Sequence, residues 1–352
     1  MLIVGDDKYN LPSFLDEFQS SSSVHLTSIC DVIRRWQNDS DYIEITTSGS
    51  TSTPQTIKLL KASMIKSALR TQEFFSYTSG DKSLLCLPVK FIGGMMMLIR
   101  SIVSDLDLHI VEPSLRTLKG ISTQLDFVPM TPAQLAESIK VDIAEINRID
   151  KILLGGGPVS PSLLRSIEDL EATVYHSFGM TETISHIAIR QLNQTEDNQQ
   201  FKALRGVNLE LDDDKCLIIN ADYLDESVHT NDVVDLISNK EFIWKGRKDN
   251  VINSGGLKLY PELIEQKIGS FIQSQFIIVG IDDEVLGSKV CLIIESDDII
   301  NEQETVSALS DILSKYELPK AIFTVPSFAR TQTGKIIRTA SLELAINDNQ
   351  AI

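Results

Sequence analysis

Between residues 84 and 170, short apolar runs alternate with segments of helical period, and this alternation leaves few architectures open. Leu84 to Pro88, Leu108 to Val111 and Ile152 to Leu154 read as buried strands, whereas Gly94 to Val103 and Pro161 to Leu170 read as helices. Lys61 to Tyr77 reads as a further helix, with Met64, Ala68, Phe74 and Phe75 near helical spacing. Ser160 as N-cap, with Pro161 at the first helical position, marks a helix start. Strand and helix in alternation predict an open α/β sheet, in which ligands bind at loops beyond the carboxyl ends of strands.

The pattern changes twice further on. Leu209 to Trp244 is short-stranded, as in a small β subdomain. Past the charged, glycine-bearing segment Gly246-Arg247-Lys248-Asp249, which suits a linker, Phe276 to Val279, Val290 to Ile294 and Ile322 to Val325 read as strands. Pro261 to Ile268 and Glu302 to Lys315 read as helices beside them, giving a separate α+β unit. Residues 1–45 are loosely patterned, with a loop signal at Ser20 to Ser23, and read as a short N-terminal extension packed on the large domain. The expected fold is α/β: a large N-terminal domain over 1–248 with open mixed α/β sheets and a β-rich subdomain at about 205–245, and a small mobile α+β C-terminal domain over 249–352.

At 352 residues with 42% hydrophobic content, the chain can bury cores of this size. A net charge of −17 argues against nucleic acid or an anionic membrane as partner, because an acidic surface repels polyanions. Cys30, Cys86, Cys216 and Cys291 are widely spaced in apolar surroundings, without a Cys-x-x-Cys pair, and read as reduced core residues. The start lacks a basic segment followed by a long apolar one, and no run approaches the ~20 apolar residues needed to span a bilayer. A cytoplasmic protein without membrane insertion is expected.

Several separate segments are each suited to part of a nucleotide. The run Thr46-Thr47-Ser48-Gly49-Ser50-Thr51-Ser52-Thr53-Pro54-Gln55 follows a strand-like stretch, and its hydroxyls and backbone N–H groups can wrap phosphates, although the Gly-Lys-Ser/Thr ending of a Walker loop is absent. In Phe178-Gly179-Met180-Thr181-Glu182, an aromatic can stack on a base, a glycine permits close approach, a hydroxyl can reach a phosphate and a carboxylate can hold Mg2+. Leu154-Gly155-Gly156-Gly157-Pro158 follows a strand, and its missing side chains let a flat ring lie on the backbone. Thr230-Asn231-Asp232 offers a further carboxylate in a turn-like stretch. Near the end, Ala329-Arg330-Thr331-Gln332-Thr333-Gly334-Lys335-Ile336-Ile337-Arg338 delivers one lysine on a glycine-hinged loop. Taken singly, the Ser/Thr run also reads as a solvated linker and the lysine loop as a basic turn.

In this order the segments resemble the acyl-adenylate-forming superfamily of acyl-CoA synthetases, adenylation domains and luciferases, over nearly the whole chain. The resemblance implies ATP, Mg2+ and coenzyme A as reactants, with a small-molecule carboxylic acid as the partner to be activated. It assigns Lys335 and Thr181 to catalysis, and Thr47, Ser48, Gly49, Ser50, Thr51, Gly156, Gly157, Phe178, Gly179, Asp232 and Arg247 to the nucleotide. Glu182 would hold Mg2+, Asp249 would be the hinge on which the small domain rotates, and Gly255 and Gly256 would line the pantetheine channel. Three positions depart from the family pattern: Ser52 stands for a glycine, Gln55 for a lysine and Ala329 for a proline.

Superfamily motifs do not report the acid. Thr181-Glu182-Thr183-Ile184-Ser185-His186-Ile187-Ala188 and Leu87-Pro88-Val89-Lys90-Phe91-Ile92-Gly93-Gly94 are similar to the o-succinylbenzoate:CoA ligases of menaquinone biosynthesis, and the part before the phosphate loop is far shorter than is usual in the superfamily. A histidine that stands near the Phe91 position in many of those ligases is absent. o-Succinylbenzoate keeps a second carboxylate, which needs a cation or donors once buried. Lys90, Arg100 and His186 are the candidates, and His176 is a further residue able to flank the acyl pocket; His25 and His109 read as structural. Other aryl or short acyl acids are alternatives, as are loading of a carrier protein, although no carrier domain follows Ile352, and a non-catalytic acyl-AMP or nucleotide binding protein. The sequence leaves the oligomeric state open.

Overall fold

The computed structural model describes every residue except 48–54, 197–198, 273, 299, 332–335 and 351–352. Residues 1–45, expected as a short extension packed on the large domain, form β1 (Leu2–Val4), β2 (Asp7–Tyr9), α1 (Leu11–Phe18), α2 (Val24–Gln37) and the start of β3 (Tyr42–Thr47), which pairs with β4 (Gln55–Leu60). The Ser20–Ser23 signal ends in a helix cap, since the Ser23 hydroxyl accepts from the Leu26 N–H at 3.1 Å. From α1 and α2, Phe14, Ile29 and Ile33 are buried in one core with Met95 to Ile99.

The alternating region folds as α3 (Lys61–Phe75), β5 (Lys82–Leu85), α4 (Ile92–Val103), β6 (Asp107–Ile110), β7 (Leu125–Met130), α5 (Pro132–Val141), α6 (Ile143–Ile146), β8 (Ile149–Leu154), α7 (Pro161–Glu168) and β9 (Thr173–Gly179). After it come β10 (His186–Gln191), β11 (Phe201–Ala203), β12 (Val207–Leu211), β13 (Cys216–Ala221), β14 (Val228–Ser238) and β15 (Glu241–Arg247). All except β3 and β4 join one 13-stranded sheet of order β12-β13-β14-β15-β11-β10-β9-β8-β7-β5-β6-β1-β2. The ladders from β9 to β1 are parallel and the rest antiparallel, so the β-rich stretch continues the main sheet through the β11–β15 pair. Gly246 and Arg247, read as linker, are the last residues of β15.

The strand order changes direction at β5. The chain leaves β5 toward β6 on one side and then resumes with β7 on the other, which opens a crevice beyond the carboxyl ends of β5 and β7. Gln134 occupies it, donating through Nε2 to the carbonyls of Cys86 and Ser114, both at 3.0 Å. The loops after β8 and β9 are left to form a site.

A 3-10 turn, Lys248–Asn250, leads to a second sheet, with β16 (Ile252–Ser254), β17 (Leu257–Leu259), α8 (Pro261–Ile268), β18 (Phe276–Asp283), β19 (Gly287–Glu295), α9 (Glu302–Leu309), β20 (Ala321–Val325) and α10 (Arg338–Gln350). Ile278, Leu292 and Ile294 face one core, while Ile277, Cys291 and Ile293 face another. Burial on both faces explains runs too apolar to alternate. The helix expected over Glu302 to Lys315 stops at Leu309, where Ser310 closes it with N–H bonds to Val306 and Ser307 carbonyls. All four cysteines are free and buried.

Candidate active site

β8 and β9 run parallel with Leu154 beside His176, so their following loops emerge at the same end of the sheet. Gly156 has φ +81°, a conformation L side chains rarely adopt, and a Cβ on Gly157 would meet nothing within 4 Å. The turn therefore presents bare backbone to open space. It is held from β9, where the Ser177 hydroxyl donates to the Leu154 carbonyl at 2.8 Å and His176 Nε2 lies 3.2 Å from the Gly157 carbonyl.

At the end of β9, Phe178 is half-buried, with its ring edge-on to Phe201 and Phe242 at centroid distances of 5.8 and 5.1 Å. Gly179 is required by close approach, because a Cβ there would lie 2.4 Å from the Ser185 carbonyl oxygen. The next turn is built by Thr183, which sequence reasoning does not single out. Its buried hydroxyl accepts from the Met180 N–H at 3.0 Å and lies 2.7 Å from the Ser185 carbonyl, to which it can donate. Thr181 is thereby left half-buried and Glu182 exposed at the tip. One exposed carboxylate at a turn fits Mg2+, which usually takes one or two protein carboxylates and completes its shell with phosphate and water. Among the described residues, no group of three or more His, Cys, Asp or Glu forms a metal cage of its own.

Deeper in, α3, α4 and the start of β10 bring together Thr71, Arg100, Ser185 and His186. Arg100 is 2% exposed; its Nε lies 3.3 Å from Thr71 Oγ1, its Nη2 3.5 Å from His186 Nδ1, and Nη2 also reaches the Ser185 hydroxyl. His186 Nε2 lies 3.2 Å from Thr71 Oγ1. Burial, and then the Arg100 charge, hold the His186 imidazole well below its ordinary pKa, so it is neutral. Among the described residues no carboxylate forms an ion pair with Arg100. Lys90 is not in this group. It is exposed, with its ammonium over the Phe91 ring at 4.9 Å, and lines a separate cavity of ≈ 470 Å³ that adjoins Thr46 at the start of the Ser/Thr run. Arg100 lies in the last turn of α4, about 12 Å along the helix axis from its first residue, Ile92, whereas Lys90 precedes the helix.

Asp232 is buried in β14, directly across the ladder from Arg247. Trp244 Nε1 donates to Asp232 Oδ1 at 2.9 Å, and Arg247 Nη1 lies 3.6 Å from Oδ2. Arg247 also pairs with Asp249 at 3.1 Å, and Asn231 Nδ2 donates to the same carboxylate at 3.2 Å. Trp244 gives no local signal, since its partner lies on the neighbouring strand. Gly255 and Gly256, with φ +57° and +82°, form the exposed tip of the β16–β17 hairpin, two left-handed residues as a tight primed turn requires.

Ser48, Gly49, Ser50 and Thr51 lie outside the described residues, between β3 and β4, as do Ser52 and Lys335; Thr47 is described by its backbone, paired with Gln55. The lysine loop leaves and rejoins the small unit at the Arg330–Ile336 bridge. Beyond it Arg338 donates to Glu265 Oε2 at 2.9 Å and to the Ile278 carbonyl at 2.7 Å, which ties the loop's exit to α8 and β18.

A family model for AMP-binding enzymes matches residues 14–218, more than half of the chain. The chain belongs to the AMP-binding enzyme family. Among solved members of comparable extent is the acyl-CoA synthetase (AMP-forming)/AMP-acid ligase II-like protein of Dyadobacter fermentans, 34% identical, with 95% of this chain and 98% of that one covered and a TM-score of 0.63. The 2-succinylbenzoate–CoA ligase of Staphylococcus epidermidis is 25% identical over 321 residues, 83% of this chain and 67% of the relative. This AMP-binding enzyme thus spans about two thirds of that relative's length. The o-succinylbenzoate CoA synthetase of Bacillus subtilis, solved with an acyl-adenylate intermediate, shares the fold at a TM-score of 0.74, with 20% identity and coverage of 84% and 68%. Among the described residues no helix is long and apolar enough to cross a membrane.

Proposed function

We propose that this AMP-binding enzyme is an AMP-forming acid:CoA ligase and that its preferred acid is o-succinylbenzoate. The observation that carries the ATP half is the adjacency of two strand ends: the bare Gly155–Gly157 backbone after β8 and the Phe178, Thr181 and Glu182 set after β9. Adenine would lie between that backbone and Phe178, Thr181 would reach the α-phosphate, and Asp232 would accept from the ribose. Glu182 would hold Mg2+, which when bound spreads the negative charge of the phosphates. The substrate carboxylate attacks the α-phosphorus and pyrophosphate leaves; the thiol of coenzyme A then attacks the acyl carbon and AMP leaves. Lys335 would orient the carboxylate and offset charge at the five-coordinate phosphorus. Rotation about Asp249 would bring the Gly255–Gly256 hairpin to the site for the second step.

Arg100 supports an acid with a second carboxylate, because a buried guanidinium among neutral partners attracts an anion. Similarity to ligases of the same acid supports it further. The test is a panel of carboxylic acids with the purified protein, ATP, Mg2+ and coenzyme A, reading pyrophosphate release and thioester mass. Pyrophosphate and thioester with another acid only would remove o-succinylbenzoate, and no pyrophosphate with any acid would turn the reading to a nucleotide or acyl-AMP binder.

A further inference from the structure

His176 and Arg190 stand opposite each other on β9 and β10. Arg190 Nη2 is 3.2 Å from His176 Nδ1, and His176 Nε2 is 3.2 Å from the Gly157 carbonyl. The direction of both bonds is fixed by chemistry. A guanidinium only donates, so Nδ1 must accept, and the imidazole proton sits on Nε2, where it meets a carbonyl that only accepts. Any other protonation state sets two donors or two acceptors face to face. Burial, followed by the nearby Arg190 charge, pushes the His176 pKa down to about 3, so the neutral ring persists.

Arg190 has no carboxylate partner among the described residues, and its buried Nε has no hydrogen-bond partner. Its guanidinium lies over the Phe201 ring at 4.8 Å, and that ring contacts Phe178. A partly buried cation is costly, and neither an ion pair nor full hydrogen bonding offsets the cost here. What the side chain does achieve is to set the His176 tautomer and brace the aromatic cluster behind Phe178. Both sides of the adenine slot in the proposed site, the Gly155–Gly157 backbone and the Phe178 ring, therefore lead back to Arg190.

We propose that Arg190 and His176 form a positioning relay that fixes the Gly155–Gly157 turn, and with it the adenine wall of the nucleotide site. The proposal rests on the ligase reading for the identity of the ligand and on the structure alone for the relay. Neither residue touches the reacting atoms, so the relay governs nucleotide binding and leaves the chemical step alone.

The test uses the full chain with Arg190→Met, His176→Leu, the double variant and His176→Gln, which keeps an N–H donor. Each single apolar variant should raise KM for ATP about tenfold, the worth of one hydrogen bond, with kcat changed less than about twofold. The double variant should be no worse than either single one, because both break the same chain, and His176→Gln should recover most of the loss. Imidazole 15N spectra should show Nε2 protonated and Nδ1 bare in the parent, and a mixture of tautomers in Arg190→Met. Additive losses in the double variant, a parent-like KM for ATP in both single variants, or protonated Nδ1 in the parent would overturn the relay. The spectra need no turnover, so they decide the relay even if the parent proves inactive with every acid and the ligase reading falls.

Discussion

Arg247 faces Asp232 across the β14–β15 ladder and extends past it to Asp249, with contacts of 3.6 and 3.1 Å. One guanidinium thus joins a carboxylate of the large sheet to one in the turn that leads to the small sheet. If that turn is the hinge, its backbone and its ion pair are separable. Asp249→Pro should fix φ and block rotation, sparing acyl-AMP formation while impairing thioester formation. Asp249→Ala loses the contact but keeps the torsional freedom, and should slow the second step less. Normal thioester turnover in the proline variant would rule out a hinge at this residue.

Lys335→Ala should slow acyl-AMP formation by on the order of 10² or more, while preformed acyl-AMP still reacts with coenzyme A. Single-turnover assays of the two half-reactions decide the matter. Equal losses in both would mean that the lysine does not divide its work as proposed.

Arg100→Met should raise KM for o-succinylbenzoate by a binding loss of about 2 to 5 kcal/mol, the range for breaking a buried charge pair. An analogue without the ring carboxylate should lose little more in that variant, since its partner is already gone. A parent enzyme that prefers the analogue would leave the ligase reading standing and remove this acid.

Four histidines, His25, His109, His176 and His186, are held below their ordinary pKa, and the two most strongly depressed give the fold an acid limit of its own. His176 and His186 both stay unprotonated in the folded chain below the ordinary value of 6.5, whereas the unfolded chain takes up those protons. The folded state binds fewer protons, so stability is full above about pH 6.5 and falls as pH drops below it, by at most about 1.4 kcal/mol per pH unit for each ring. For His176 the fall continues until about pH 3. Denaturant midpoints across this range should therefore shift downward with acid, and His186→Gln should flatten the slope. An unchanged slope in that variant would mean His186 is not a depressed group.

Local signals carry much of the architecture. Ser160 caps α7 as its sequence implies, with its hydroxyl accepting from the Leu163 N–H at 3.2 Å, and α8 begins at Pro261. α5 is not among the expected helices, although Thr131 and Gln134 form a full capping box around Pro132, a signal present in the sequence. Nor is α2, despite Leu26, Ile29, Cys30 and Ile33 at helical spacing behind Ser23. At the candidate site, the Gly155–Gly157 turn and the turn after Gly179 are set by residues contiguous in sequence. Trp244 on Asp232, Arg190 on His176 and Thr71 between Arg100 and His186 are not, because each pairing is decided by strand register or helix packing. Lys90, grouped with Arg100 by residue type, is separated from it by the length of α4.

The first strand of the sheet pairs with a partner far along the chain. β1 lies parallel to β6, with Leu2 beside Leu108, so its only route into the sheet waits until more than a hundred residues have been made. Until then the β6 edge and the apolar faces that receive Phe14, Ile29 and Ile33 stand open, a surface that invites pairing with other chains. During synthesis β1 and the first two helices therefore wait for β6, and β7 to β15 are made only after that partner is available. In a refolding experiment, the β1–β6 pairing, which closes a loop of about a hundred residues, should form later than local hairpins such as β16–β17.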